Sequence, residues 1–158
     1  MLTHDMSSYS VEVDIRALQP PFDGGPATIV LGQRGQRDGP RIVLPVPGAE
    51  VHSLLHELQG QETPRSESLG LLADVLHAVG GRVASVRLGA EDDGTSIAGC
   101  LDLETPGGAQ VLAAAPAQAV AAAVRLAVPL LVDPVLFDLS AQRTSIEGAV
   151  AEVLNGLG

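Results

Sequence analysis

Residues Ala113–Val132 read AAAPAQAVAAAVRLAVPLLV. A proline after a run of alanines suits the first turn of a helix, where its missing N–H costs nothing. The residues that follow are apolar nearly all round, so the pattern predicts a buried helix from Pro116 to about Ala127. Pro129 then ends the helical stretch, and Pro129–Val132 reads as a short inner strand. The order is strand end, buried helix, buried strand. The rest of the chain has to wrap around that helix.

Upstream, Ala109–Ala114 reads as the hairpin partner of a strand over Thr95–Glu104, joined through the turn Pro106–Gly108. Arg82–Leu88 is a strand, and Glu91-Asp92-Asp93-Gly94 reads as a hairpin turn without calcium-loop spacing. Two helices precede these strands. Gly48 to about Gln59 carries Val51, Leu54, Leu55 and Leu58 on one face. The second, capped by Ser66 or Ser68, carries Leu69, Leu72, Leu76 and Val79 and ends at Gly80-Gly81. At the front, Ser10–Leu18 alternates as a half-buried strand, Ala27–Leu31 and Arg41–Val46 form a long-looped hairpin, and Gln19–Pro26 is a loop. Thr144 and Glu147 form a capping-box pattern for a last helix with Ile146, Val150, Val153 and Leu157 on one side. The sum is an α+β fold, a mixed β-sheet of about six or seven strands with packed helices. The expected organisation is a tail over 1–9, one domain over 10–139, and a C-terminal helix over 140–158 packed on the domain or on a partner subunit.

Composition narrows the functional classes. Hydrophobic content of 46% in 158 residues suffices for one globular core. Net charge is −10 and every basic residue is Arg, nine in all, so the global field opposes nucleic acid. Tyr9, Phe22 and Phe137 are the only aromatics, too few for a stacking platform. Cys100 is alone, which excludes an intrachain disulfide and a cysteine-based zinc site; it reads as a packed thiol in a buried strand. The N-terminus lacks an apolar signal core, and the apolar run Val111–Val132 is broken by Pro116, Gln118, Arg125 and Pro129. Cytoplasmic residence without a membrane span is the expectation.

Few residues could carry chemistry. His52 and His56 are i, i+4 on one helix, a spacing able to hold a metal, but HSLLH lacks the HExxH glutamate and reads better as a solvated flank. The Gly-rich turn Gly32–Gly39, with Arg34 and Arg37, lacks the Gly-Lys-Ser/Thr of a phosphate loop. Glu50 stands in the first turn of its helix, where the macrodipole favours a carboxylate.

The order Pro116, small-residue helix, Arg125, Ala-Val-Pro129, strand resembles the signature of the bifunctional nuclease family. That signature runs Asp-x-Arg-Pro-Ser-Asp-Ala, then an apolar helix with a basic end, then Ala-Pro and a strand. Pro116, Ala119, Arg125 and Pro129 fall on matching positions. Ala113 stands for the Asp, Ala115 for the Arg, Ala117 for the Ser and Gln118 for the second Asp. Upstream, Glu50 and Pro64-Arg65 keep the family's interval, while Leu69 and Gly70 stand where the family has His and Asp. A weaker match is Ser96-Ile97-Ala98, where the family has an acidic-turn strand ending Phe-Tyr-Ala.

The resemblance implies the family's α+β fold from roughly Val11 to Phe137, and DNA and RNA hydrolysis by clustered Asp, His and Arg. Here those positions are empty. The expectation is a divergent member with little nuclease activity, whose remnant cleft, lined by Leu69, Gly70, Ala113, Ala115, Ala117 and Gln118, binds an apolar small organic molecule or shapes a reactive one. Glu50 and Arg65 are the catalytic candidates at its rim; no cofactor is expected. Two alternatives stand: an active metal-dependent nuclease with relocated catalytic residues, and a structural or regulatory subunit. The apolar Ala117–Ala127 helix and the C-terminal helix suggest a homo-oligomer, most simply a homodimer.

Overall fold

A computed structural model describes residues 10–19, 26–60, 64–94, 96–141 and 156. Seven strands and four helices are present among them: β1 (Val11–Gln19), β2 (Ala27–Gln33), β3 (Arg41–Val46), α1 (Gly48–Leu58), α2 (Pro64–Ala78), β4 (Arg82–Ala90), β5 (Ile97–Thr105), β6 (Gly108–Ala114), α3 (Pro116–Leu126), β7 (Leu130–Val132), and helical residues 135–141, here α4. The fold is α+β, as the sequence pattern implied.

All seven strands share one sheet in the order β3-β2-β1-β7-β4-β5-β6. The only parallel pair is β4 with β7, where Val86 lies beside Leu130 and Leu88 beside Val132. This follows from chain order, because the helix α3 carries the chain from the outer hairpin back to the middle of the sheet. The acidic turn does close the β4–β5 hairpin: the Asp93 carboxylate accepts from the Ser96 amide at 2.9 Å and its hydroxyl at 2.7 Å. A bulge interrupts β1 between Ile15 and Ala17 and another interrupts β4 between Val83 and Ser85, each increasing local twist.

The twisted sheet folds around α3, which meets β4 and β5 on one side and β3 on the other. Ala117, Ala119, Val120, Ala122 and Ala123 are buried on that helix. Small side chains let it lie close to the strands: a Cβ added at Gly99 of β5 would come within 3.0 Å of the Ala119 methyl. The core gathers Ile29, Leu31, Ile42, Leu44 and Val46 from β2 and β3, Val86 and Leu88 from β4, Leu54 from α1, and Leu136 and Phe137 from α4.

The structure differs from the sequence pattern at α2. The helix begins at Pro64 instead of at a serine cap, so Arg65 lies in its first turn and not in a loop. Proline at the first helical position fits this start. Its expected core face is also not covered: Leu72 and Val79 are each 65% exposed, as is Leu71. Periodicity placed these residues on one side, but only Leu69 and Leu76 are half-buried there, and Leu72 and Val79 stay uncovered. Among the described side chains of α1 only Leu54 is sealed, Val51 is half-buried, and Leu55 and Leu58 face outward. α2 ends at Gly80, whose φ of +84° is the left-handed position that glycine takes at low cost. The C-terminal capping-box helix lies outside the described residues.

Candidate functional site

Because α2 stands away from the sheet, a cleft opens under it. The volume is about 780 Å³, within the range of ligand sites. One wall is α2, with Leu69, Leu72 and Leu76, continued by Val79 just past its end. The floor is the inner face of β4–β6, with Val83, Leu101, Leu103 and Leu112. The far wall is α3, with Ala117, Gln118, Ala121, Ala122 and Leu126. The strand alternation explains the floor: Leu101 lies opposite Leu112, and Leu103 opposite Gln110, so two leucines of β5 and one of β6 point the same way.

Of the residues expected to form the cleft, Leu69, Ala113, Ala117 and Gln118 line it. Ala115 does not; it is exposed and serves as the N-cap of α3. Gly70 also lies off the lining. Its α-carbon faces Arg125, whose Nη2 would stand 3.1 Å from an added Cβ. Glycine there leaves room for the guanidinium. Glu50 lies in the first turn of α1, and Arg65 in the first turn of α2. Their side chains, and that of His52, lie outside the described residues. His56 is half-buried on α1. No group of three His, Cys, Asp or Glu side chains is placed to hold a metal among the described residues.

Two polar features mark the ends of the cleft. At the first turn of α3, Ala115 supplies no side-chain cap and Pro116 follows it, and no acidic residue stands in that turn. At the last turn of α3, Glu57 of α1 enters the lining. Its side chain is only 9% exposed, and Arg125 Nε lies 4.0 Å from Oε1, beyond hydrogen-bonding distance. An eleven-residue helix separates the two ends by about 16 Å. Glu57 was not among the residues singled out in the sequence. The available signal was its position three residues after Leu54, which puts it on the buried side of α1.

The back of the same sheet is closed by charge instead. Arg87 and Asp102 form a two-pronged pair, Nε to Oδ2 and Nη2 to Oδ1, both 2.7 Å, with the Ser85 hydroxyl donating to Oδ2 at 2.8 Å. The hydrogen bond to Asp102 is the main cause that raises the Arg87 guanidinium further above its ordinary value. Cys100, paired with Arg87 across β4–β5, is buried as expected. Burial pushes its thiol up, against a smaller lowering by Arg87.

A single sheet around an alanine-rich helix, with a cleft along that helix, defines an α+β domain. Residues 29–145 match the bifunctional nuclease domain, and the chain belongs to that family. Among curated proteins, none matches the chain. Among the described residues, no helix is long and apolar enough to cross a membrane.

Proposed function

We propose that this family member has lost efficient nuclease activity and uses its cleft to bind a small, mostly apolar organic molecule. The observation that carries the reading is the lining: about 780 Å³ walled by leucine, valine and alanine. A phosphodiester brought there would lose water and meet no arginine among the described lining residues. An uncharged ligand would instead remove Leu72, Val75 and Val79 from water. Ala113, Ala117 and Leu69, standing where the family carries polar groups, supply part of that apolar wall.

The test is saturable binding of the lipophilic dye Nile red by the full chain, read by fluorescence. One site per chain is expected, with binding lost in Ala121→Trp while the melting temperature is kept. Ala121 is half-buried on the cleft wall and suits this purpose better than exposed Ala115. Incubation with single- and double-stranded nucleic acid and Mg²⁺, Mn²⁺ or Zn²⁺ should give negligible cleavage. Robust cleavage that disappears in Glu50→Ala or Arg65→Ala overturns the reading.

Self-association is proposed from a different surface than the sequence suggested. The helix α3 buries its alanine face inside the chain, whereas β6 ends the sheet as an uncharged edge with Val111 and Leu112 exposed. An open edge of this kind is a template for a second strand.

A further inference from the structure

We propose that two copies of this chain pair edge to edge through β6 about a two-fold axis at Val111, and that this pairing makes the cleft a site shared between them. The proposal rests on the cleft and the self-association proposed above. It adds the register, the reason the contact closes, and what the second copy brings to the site. Among the described strands β6 is the last on its side of the sheet, and every residue from Gly108 to Ala113 is exposed. Its sequence, GAQVLAA, carries neither the charge nor the proline that keeps an edge single. The other edge, β3, is protected. There the Val43 amide donates to the Ser140 hydroxyl of α4 at 3.3 Å, and Pro45, two residues on and facing the same way, has no N–H to offer. A β6–β3 contact would propagate without closing, and the blocked β3 edge opposes it. A β6–β6 contact closes on itself as a dimer.

Charge permits a second copy at this edge. The chain carries −10 overall, which sets like molecules against each other. Beside β6 the acidic groups are neutralised: Glu104, opposite Ala109, is bridged by Arg82, and Asp102, opposite Val111, by Arg87. An antiparallel pair joins residues that share a face, so the axis passes through a residue and not between two. With Val111 on the axis all seven residues of β6 pair, Gly108 with Ala114 and Gln110 with Leu112, over about 24 Å. Val111 then covers its counterpart on the back of the sheet. On the cleft side Leu112 is 55% exposed, at the open border of the floor. Gln110 of the second copy stands opposite it there, and the floor runs on into that copy's own Leu112. Each cleft is therefore bordered by the other chain.

A contact of one strand is a small interface of the weak class. Light scattering of the full chain should therefore give a dimer mass at about 100 μM that falls toward the monomer near about 1 μM. Val111→Lys sets two ammonium groups against each other on the axis and should be monomeric throughout. Cross-linking tests the register without that variant. In a Cys100→Ala background, Val111→Cys places the two α-carbons about 4.5–5.5 Å apart, within disulfide range. Leu112→Cys places them about 7–8 Å apart, beyond it. Mild oxidation should join the first as a dimer on a non-reducing gel and leave the second mostly uncrossed. Val111→Lys should also bind Nile red several-fold more weakly, although Val111 is not part of the cleft lining. A monomer at every concentration, a dimer that survives Val111→Lys, or stronger cross-linking at Leu112→Cys than at Val111→Cys overturns the pairing. Unchanged Nile red affinity in a monomeric Val111→Lys overturns the shared floor. No Nile red binding by the unaltered chain overturns the cleft itself, and the mass and the cross-link still decide the pairing.

Discussion

On β2 and β3, the side chains of Ile29, Leu31, Ile42, Leu44 and Val46 are sealed from solvent. On α2 and β6, Leu71, Leu72, Val75, Val79, Val111 and Leu112 are each more than half exposed. Residue type does not distinguish the two regions. Coverage does. α3, α1 and α4 all contribute to the core over the first region, whereas α2 leans over the second without closing on it. Side chains of the same aliphatic kind therefore stabilise the fold on one side of α3 and stay open to solvent on the other.

The comparison breaks most sharply under paired truncations. Leu44→Ala should cost about 2–5 kcal/mol, because a filled core position loses both burial and contacts. Leu72→Ala, 65% exposed, should change stability by no more than about 0.5 kcal/mol. Urea denaturation of both variants measures the contrast. Similar losses at the two sites would mean that α2 closes onto the sheet in solution and that the cleft is a core.

A smaller effect tests what holds the open region together. The strands β4 and β5, which floor the cleft, are tied on their back by Arg87 and Asp102, only 15% and 24% exposed. Asp102→Asn should cost about 1–3 kcal/mol by leaving Arg87 without its charged partner, toward the low end because the pair keeps some water. A loss below the error of a thermal melt would show that backbone pairing alone carries this region.

Cys100 shares that back face and sharpens the contrast by pH. Its folded-state thiol is raised above the ordinary value of 9.0 by burial. The unfolded chain therefore releases the thiol proton first as pH rises. Fewer protons are then bound in the unfolded state than in the folded one, so stability is full below the ordinary thiol value and declines above it. Cys100→Ala should flatten this decline between pH 8 and 10 in urea melts. An unchanged slope would remove Cys100 as its source.

Much of this architecture was legible in the sequence, and the unread parts share a cause. Alternation and turn residues placed the strands, and Pro116 placed the start of α3. These signals are local, and each depends on a few adjacent residues. The cleft is not local. The stripe Leu69, Leu72, Leu76, Val79 states which α2 residues share a face, yet only the position of α3 and β6 decides that the face stays open. Glu57 was not singled out for the same reason. Its neighbour Arg125 is nearly seventy positions away, and Gly70 gives the guanidinium space.

The smallest predicted effect lies where the two regions meet, at the end of α3. Ala127 caps that helix with φ 52° and ψ 44°, the left-handed conformation. It is the only non-glycine residue at positive φ among those described. The turn is held by the Val128 amide donating to the Ala123 carbonyl at 3.2 Å, a bond that needs this backbone shape. An alanine methyl makes the left-handed region cost about 1–2 kcal/mol. Glycine removes that cost but gives the unfolded chain more freedom, an opposing effect of about 0.4–1 kcal/mol. Ala127 is exposed, so its methyl contributes little packing. Ala127→Gly should therefore stabilise the protein by about 0.5 kcal/mol, from the difference between the two effects. It should leave probe binding in the cleft unchanged, because Ala127 is not part of the lining. Destabilisation on substitution would show that the methyl is packed in solution. A change in probe affinity would show that the end of α3 couples the closed core to the open cleft.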